Sequence, residues 1–285
     1  MGMPWREHPA WAVVGRAEAA LGEPIAPLLL DASTEDLGRT RHAQLAVLVT
    51  SLVAWEAARD VLEEPVAYAG HSLGQVTALI ASGALAFDEG VRFAAARATA
   101  TQEAADRHPG RMAALVGASI DQTRQACEAA PDECWLANDN APGQVVIAGT
   151  PRGVDAATEQ ARLLGVRRAI PLEVGGAFHT PLMQDATDTL RTILDAVTFT
   201  TPRSRLVSNI DAQPHDDADW HERSARHVSM PVRWRESLEA LAGTGVDSFV
   251  EIGHGSMIAA LAKRTTPEIA VVPMGTPAQV ADAAA

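Results

Sequence analysis

An α/β fold is what this sequence predicts, and three observations carry the prediction. Short apolar stretches alternate with helix-period segments along most of the chain. The run Tyr68-Ala69-Gly70-His71-Ser72-Leu73-Gly74-Gln75 sets Gly-x-Ser-x-Gly between an apolar stretch, Pro65 to Ala69, and a helix-like segment, Val76 to Ala84. A compact βαββαβ alternation then occupies residues 111–174, reading as a unit inserted into the larger α/β domain.

The elements follow in order. Trp5 to Leu21 and Arg41 to Leu62 carry apolar residues at three- and four-residue spacing and read as helices. Between them lies a short apolar piece, Ile25 to Leu30, bounded by Pro24 and the turn-prone Asp31-Ala32-Ser33. Gly83 breaks the helix after the Ser72 turn, and Asp88 can cap a long helix through about Ala105. In the inserted unit the expected strands are Met112 to Gly117, Cys134 to Asn138, Gln144 to Ala148 and Arg168 to Leu172. Its helices are Ile120 to Ala130 and Val154 to Leu164. Beyond it come helices at Pro181 to Val197, Trp220 to His227, Val232 to Ala242 and Ser256 to Lys263. Strands are expected at Leu206 to Ser208, Ser248 to Ile252 and Ala270 to Pro273. The division is therefore 1–110 with 175–285 as a large subdomain and 111–174 as a small one.

Composition narrows the function classes. At 285 residues the chain can bury a large core, and 47% apolar with 21% charged residues is ordinary for a soluble globular protein. A net charge of −13 with no basic stripe argues against nucleic acid. No run of eighteen apolar residues suggests a membrane span, and Met1 to Glu7 lacks the pattern of a signal peptide. The two cysteines, Cys127 and Cys134, have no metal-ligand spacing, so no metal is expected and the reading is of thiols in a reducing cytoplasm.

The Ser72 turn is a nucleophile elbow: strand, tight turn, helix, with the hydroxyl held at the top of a sheet. Gly70 and Gly74 omit side chains where the turn crowds its own backbone. The helix N-terminus behind Ser72 favours a developing oxyanion. Such a serine needs a base, and histidine is the usual one. Of nine histidines, His71 adjoins Ser72 but points away from it, whereas His179 ends the Gly-rich loop Val174-Gly175-Gly176-Ala177-Phe178.

At this point the chain resembles the malonyl-CoA:acyl-carrier-protein transacylases and the related acyltransferase domains of polyketide synthases. The similarity runs over nearly the whole length. Gly70-His71-Ser72-Leu73-Gly74 resembles that family's nucleophile motif, with Gln75 in place of its usual glutamate. Gly83 through Arg97 resembles the following helix, and Asn138-Asp139-Asn140-Ala141-Pro142-Gly143-Gln144 its Asn-rich turn. Gly176-Ala177-Phe178-His179, Pro231-Val232-Arg233-Trp234 and Glu251-Ile252-Gly253-His254-Gly255 resemble its later signatures.

The resemblance implies a hydrolase-like parallel-sheet core with an inserted ferredoxin-like subdomain. It implies catalysis by Ser72 and His179, and an oxyanion-hole donor in the backbone N–H of Leu73. Arg97 would bind the free carboxylate of malonyl bidentately, with Gln44, His71, Phe178 and Asn138 as further substrate-binding residues. The substrate would be malonyl-CoA, a coenzyme A thioester, with no bound cofactor. The partner would be an acyl carrier protein bearing phosphopantetheine, met by a monomeric enzyme through an arginine patch drawn from Arg203, Arg205, Arg223, Arg226, Arg233 and Arg235. Fatty-acid and polyketide synthesis both use this chemistry.

The departures are specific. Leu45 stands where the family usually has proline, and His227 where a residue, often glutamine, lends its backbone carbonyl to the catalytic histidine. The family's first strand and Gly-Gln-Gly-Ser-Gln loop, source of a second oxyanion donor, would precede Met1-Gly2-Met3. That leaves a carrier-binding homologue with little activity as one alternative. A serine hydrolase or thioesterase is the other, disfavoured by the unit inserted between Ser72 and His179 and by the lack of any Asp-Gly pair.

Overall fold

The computed structural model describes residues 1–284 as a mixed α/β protein. Two 3₁₀ turns, Met3–Trp5 and Pro9–Trp11, precede helix α1, Ala12–Leu21. The helix therefore starts later than periodicity predicts, because Pro9 has no N–H to continue a helical ladder. Next come α2 (Ala26–Leu30), α3 (Thr34–Gly38), α4 (Thr40–Ala58), strand β1 (Ala67–Tyr68), α5 (Gly74–Ala81) and α6 (Phe87–Arg107). Asp88 lies inside the first turn of α6 and does not cap it; Ala86 holds that position. The middle of the chain runs β2 (Arg111–Val116), α7 (Ile120–Cys127), β3 (Cys134–Ala141), β4 (Gln144–Gly149), α8 (Pro151–Leu163) and β5 (Arg168–Leu172). It closes with α9 (Gln184–Leu194), β6 (Arg205–Val207), β7 (Pro214–His215), α10 (His221–Arg226), α11 (Trp234–Ala242), β8 (Ser248–Ile252), α12 (Met257–Thr265), β9 (Ala270–Met274) and α13 (Pro277–Ala283).

The strands fall into three sheets. Strand β6 pairs in parallel with β1 and antiparallel with β7, while β8 and β9 form a separate parallel pair. The middle strands make a four-stranded antiparallel sheet in the order β3-β4-β2-β5. Alternation along β2 and β4 gives that sheet two apolar faces. Ala113, Leu115 and Ile147 pack under α7 and α8, whereas Met112, Val146 and Ala148 pack on Ala177, next to Phe178 and His179. The small sheet thus forms one wall of the loop that carries His179.

Strand β3 outruns its predicted end by three residues because its register slips twice, between Leu136 and Asn138 and between Asp139 and Ala141. The slips turn its free edge toward Val232, whose N–H donates to Ala137 O at 2.9 Å while Asp139 N–H donates to Val232 O at 2.9 Å. The buried Asp139 carboxylate takes Arg235 of α11 at 2.8 Å, fastening the same seam.

The main core gathers Trp5, Leu48, Leu79, Phe93, Met183 and their neighbours around α4, α5 and α6. Trp5 is fully buried and its indole N–H donates to Gly275 O at 3.2 Å. Glu251 receives the amides of Ile258 and Ala259, so that signature glutamate caps the start of α12. Gly70 is the tightest glycine that matters to the elbow: a Cβ there would sit 1.9 Å from Gly74 O and 2.5 Å from Gln75 N. Gly70→Ala is accordingly expected to cost about 1–3 kcal/mol or more of stability through backbone overlap. Urea unfolding checks this; an unchanged midpoint would show that the elbow can open without penalty.

Candidate active site

Ser72 lies between β1 and α5 in the left-handed region, at φ 52°. Its Oγ is 2.8 Å from His179 Nε2. His179 is itself left-handed, at φ 63°, and only 4% exposed. Its backbone N–H donates to Val228 O at 2.8 Å, and its Nδ1 lies 2.9 Å from His227 O and 3.2 Å from Met230 O. Carbonyl oxygens only accept, so Nδ1 carries the proton and Nε2 offers a lone pair to the serine hydroxyl. The expected carbonyl partner at position 227 is thus in place, joined by a second from Met230.

Arg97 approaches from α6, whose buried face runs through Gly90, Ala94, Arg97, Thr101 and Ala104 at helical spacing. Its Nη2 donates to Ser72 Oγ at 3.1 Å and its Nη1 to Gln44 Oε1; Gln44 Nε2 donates in turn to Thr101 Oγ1 at 3.3 Å. Because the serine oxygen accepts from the guanidinium, its own proton is left to point at His179. Arg97 is 5% exposed, its Nε has no partner among the described residues, and burial pulls its pKa down to about 10. It faces no carboxylate of the described chain.

The other expected residues are placed unequally. The Leu73 amide opens α5 beside Ser72. His71 Nε2 meets Asn140 Oδ1 at 2.7 Å, and its ring stands edge-on to Trp234 with centroids 5.4 Å apart. Phe178 packs between the main core and the small sheet. Asn138 is held in β3 opposite Val146 and Val232, and it is Asn140 whose side chain reaches His71. The arginine patch is largely spent within the chain. Arg223 pairs with Asp217, Arg226 with Glu222, Arg233 with Glu236, Arg235 with Asp139 and Glu239, and Arg203 with Glu64.

Asn209 is the residue that sequence reasoning missed. It is fully buried one residue beyond Ser208, and its Oδ1 accepts the Ser72 N–H at 2.8 Å. A polar residue just past the end of β6, level with the elbow at the end of its parallel neighbour β1, was the available signal. Gln75, where the family has glutamate, accepts the Asn209 N–H through Oε1 at 2.8 Å, a task an amide performs as well as a carboxylate.

A hydroxyl aimed at a carbonyl-oriented imidazole, on an elbow in an α/β frame, is the constellation of serine-dependent acyl-transfer chemistry. Residues 6–282 match the acyl transferase domain model, and the chain belongs to that family. It is 36% identical over 265 residues to the malonyl CoA-acyl carrier protein transacylase of Bacillus subtilis strain 168, covering 92% of this chain and 84% of that one. The corresponding Escherichia coli K12 protein is 33% identical, with 94% and 88% covered. Among solved structures, the acyl-carrier-protein S-malonyltransferase of Burkholderia pseudomallei 1710b superposes with a TM-score of 0.94 at 34% identity, covering 99% of this chain and 94% of that one. A malonyl-transacylase in complex with its type II PKS acyl-carrier protein superposes at 0.92 with 30% identity, covering 96% and 90%.

Burial, and then the nearby Arg97 charge, push His179 down to about 3; burial, followed by the His179 and Arg97 charges, also lowers His227 well below its ordinary value. Both rings are therefore neutral in the folded protein at neutral pH. Their folded pKa values lie below the unfolded value of about 6.5, so the unfolded chain binds more protons as pH falls through that value. Stability is expected to drop on acidification from pH 7 to 5, each ring adding a slope of about 1.4 kcal/mol per pH unit inside its window. Urea titrations at pH 7.0 and 5.5 read this, and the loss should be smaller in His227→Gln; a midpoint that holds or rises on acidification contradicts neutral burial.

Proposed function

We propose that the chain moves a malonyl group from coenzyme A to the phosphopantetheine thiol of an acyl carrier protein, through an acyl-serine intermediate. One observation carries the reading: a buried guanidinium with no carboxylate opposite it, 3.1 Å from the Ser72 hydroxyl. An unpaired buried charge is costly, and an incoming free carboxylate relieves that cost where an acetyl group cannot. The names of the relatives and of the structural neighbours agree with malonyl as that group and an acyl carrier protein as its acceptor.

Ser72 Oγ attacks the thioester carbonyl while His179 Nε2 takes its proton, and the Leu73 N–H helps to hold the oxyanion. Collapse breaks the carbon–sulfur bond, and the imidazolium returns the proton to the departing coenzyme A thiolate. The carrier thiol then gives its proton to His179, attacks the ester and leaves Ser72 protonated again. Gln44, His71 and Phe178 line the acyl pocket around Arg97, with Asn140 setting the His71 ring and Asn138 supporting it from within β3.

The finer architecture belongs to the same proposal. Residues 1–110 and 175–285 form a hydrolase-like catalytic subdomain around the parallel β1–β6 and β8–β9 pairs. Residues 111–174 form a ferredoxin-like insertion, a reading supported by the all-antiparallel order β3-β4-β2-β5.

Intact-mass measurement after brief incubation with malonyl-CoA is expected to show one malonyl adduct, absent in Ser72→Ala. An adduct surviving in that variant would refute the nucleophile. Arg97→Ala is expected to lower kcat/KM for malonyl-CoA by on the order of a hundredfold while sparing acetyl transfer. Equal losses on both substrates would sink the carboxylate role.

A further inference from the structure

We infer that Asn209 is a positioning residue for the nucleophile, and that His227 couples it to the base through its side chain as well as its carbonyl. The inference rests on the reading of Ser72 as nucleophile. Asn209 is fully buried and every polar group it has is engaged. Its backbone N–H donates to Gln75 Oε1 at 2.8 Å and its carbonyl accepts from Arg233 N–H at 2.9 Å, which fixes the residue to α5 and to the start of α11. Its carboxamide spans the elbow: Nδ2 donates to Gly70 O at 2.9 Å and Oδ1 accepts from Ser72 N–H at 2.8 Å. A carboxamide supplies the donor and the acceptor side by side, which no apolar or purely anionic side chain does.

Ser72 needs that clamp, because its left-handed φ of 52° is unfavourable for a residue with a Cβ. Released from Asn209, the half-buried Ser72 N–H would lose its acceptor and the backbone could relax, swinging Oγ away from His179 Nε2. His227 adds the second hold. Its Nε2 lies 3.1 Å from the same Asn209 Oδ1, and its carbonyl takes the His179 Nδ1 proton. One residue thus grips the base with its main chain and the nucleophile's clamp with its ring. Since Oδ1 only accepts, Nε2 of His227 is the protonated nitrogen. The titratable groups around this ring are His179, at a centroid distance of 5.4 Å, Arg97 and His71.

The test uses a serine-directed sulfonyl fluoride, phenylmethanesulfonyl fluoride, because it reads the placement of Ser72 Oγ whatever acyl group the enzyme prefers. Folding of each variant is checked by urea unfolding. Asn209→Leu is expected to slow sulfonylation of Ser72 on the order of a hundredfold, the cost of misplacing a reacting atom by about 1 Å. In Asn209→Asp only the protonated acid can both donate to Gly70 O and accept from Ser72 N–H, so labelling should fall as pH rises, a trend the parent protein lacks. Among variants at 227, glutamine can still donate to Oδ1 and leucine cannot, so His227→Gln should label faster than His227→Leu. The inference is overturned if folded Asn209→Leu labels at the parent rate, if Asn209→Asp follows the parent pH profile, or if the two 227 variants label alike. Should Asn209→Leu fail to fold, the Asn209→Asp profile decides. A parent protein that reacts with malonyl-CoA but not at Ser72 removes the nucleophile reading, and this inference with it.

Discussion

A guanidinium buried without a carboxylate is the constraint around which the site is built. Leaving Arg97 charged in the core requires neutral acceptors, and Gln44 and Ser72 Oγ supply them. The charge then acts on everything near it. It adds to burial in keeping the two neighbouring imidazoles neutral, so His179 waits as a free base rather than as its conjugate acid. Its hydrogen bond to Ser72 Oγ also settles which way the hydroxyl proton points. A carboxylate laid against Arg97 would cancel the positive field at His179 and make the imidazole a stronger base. The charge on Arg97 and the basicity of the imidazole that faces Ser72 are therefore linked.

Ser72 and His179 both sit in left-handed backbone, which proteins retain only where the surroundings over-determine it. The supports differ. At Ser72 they are the absent side chain of Gly70 and the Asn209 clamp; at His179 they are the main-chain bond to Val228 O and the hydroxyl of Thr180, which donates to Ala177 O at 2.7 Å. The two supports meet at His227, so the distance between Oγ and Nε2 is set by one connected network rather than by two independent loops.

What the sequence made legible was whatever local pattern dictates. The strands of the small sheet are short apolar runs between turn residues, and except for β3 their expected ends lie within a residue of those in the structure. The elbow announces itself through two glycines and a serine, and the imidazole of His179 through its Gly-rich approach. What stayed hidden depends on partners far along the chain. Asn209 is an ordinary asparagine until its contact with Ser72, 137 residues away, is known. The choice between Asn138 and Asn140 turns on a register slip in β3 that periodicity cannot register. Most of the arginine cluster is neutralised by acids three to six residues away, a pairing already open to inspection in the sequence; only the partners Asp139 of Arg235 and Glu64 of Arg203 are distant in the chain. The late start of α1 follows from Pro9, a local signal that overrides the apolar spacing before it.

The seam between β3 and Val232 has a mechanical consequence. Val232 lies two residues beyond Met230, whose carbonyl helps to hold the His179 ring, and β3 carries Asn140, which meets His71. Parting the seam would loosen the hold on the His179 ring and shift Asn140, with His71 behind it, in a single motion. Ser72 Oγ would then face an imidazole that has lost one of the two carbonyls that orient it.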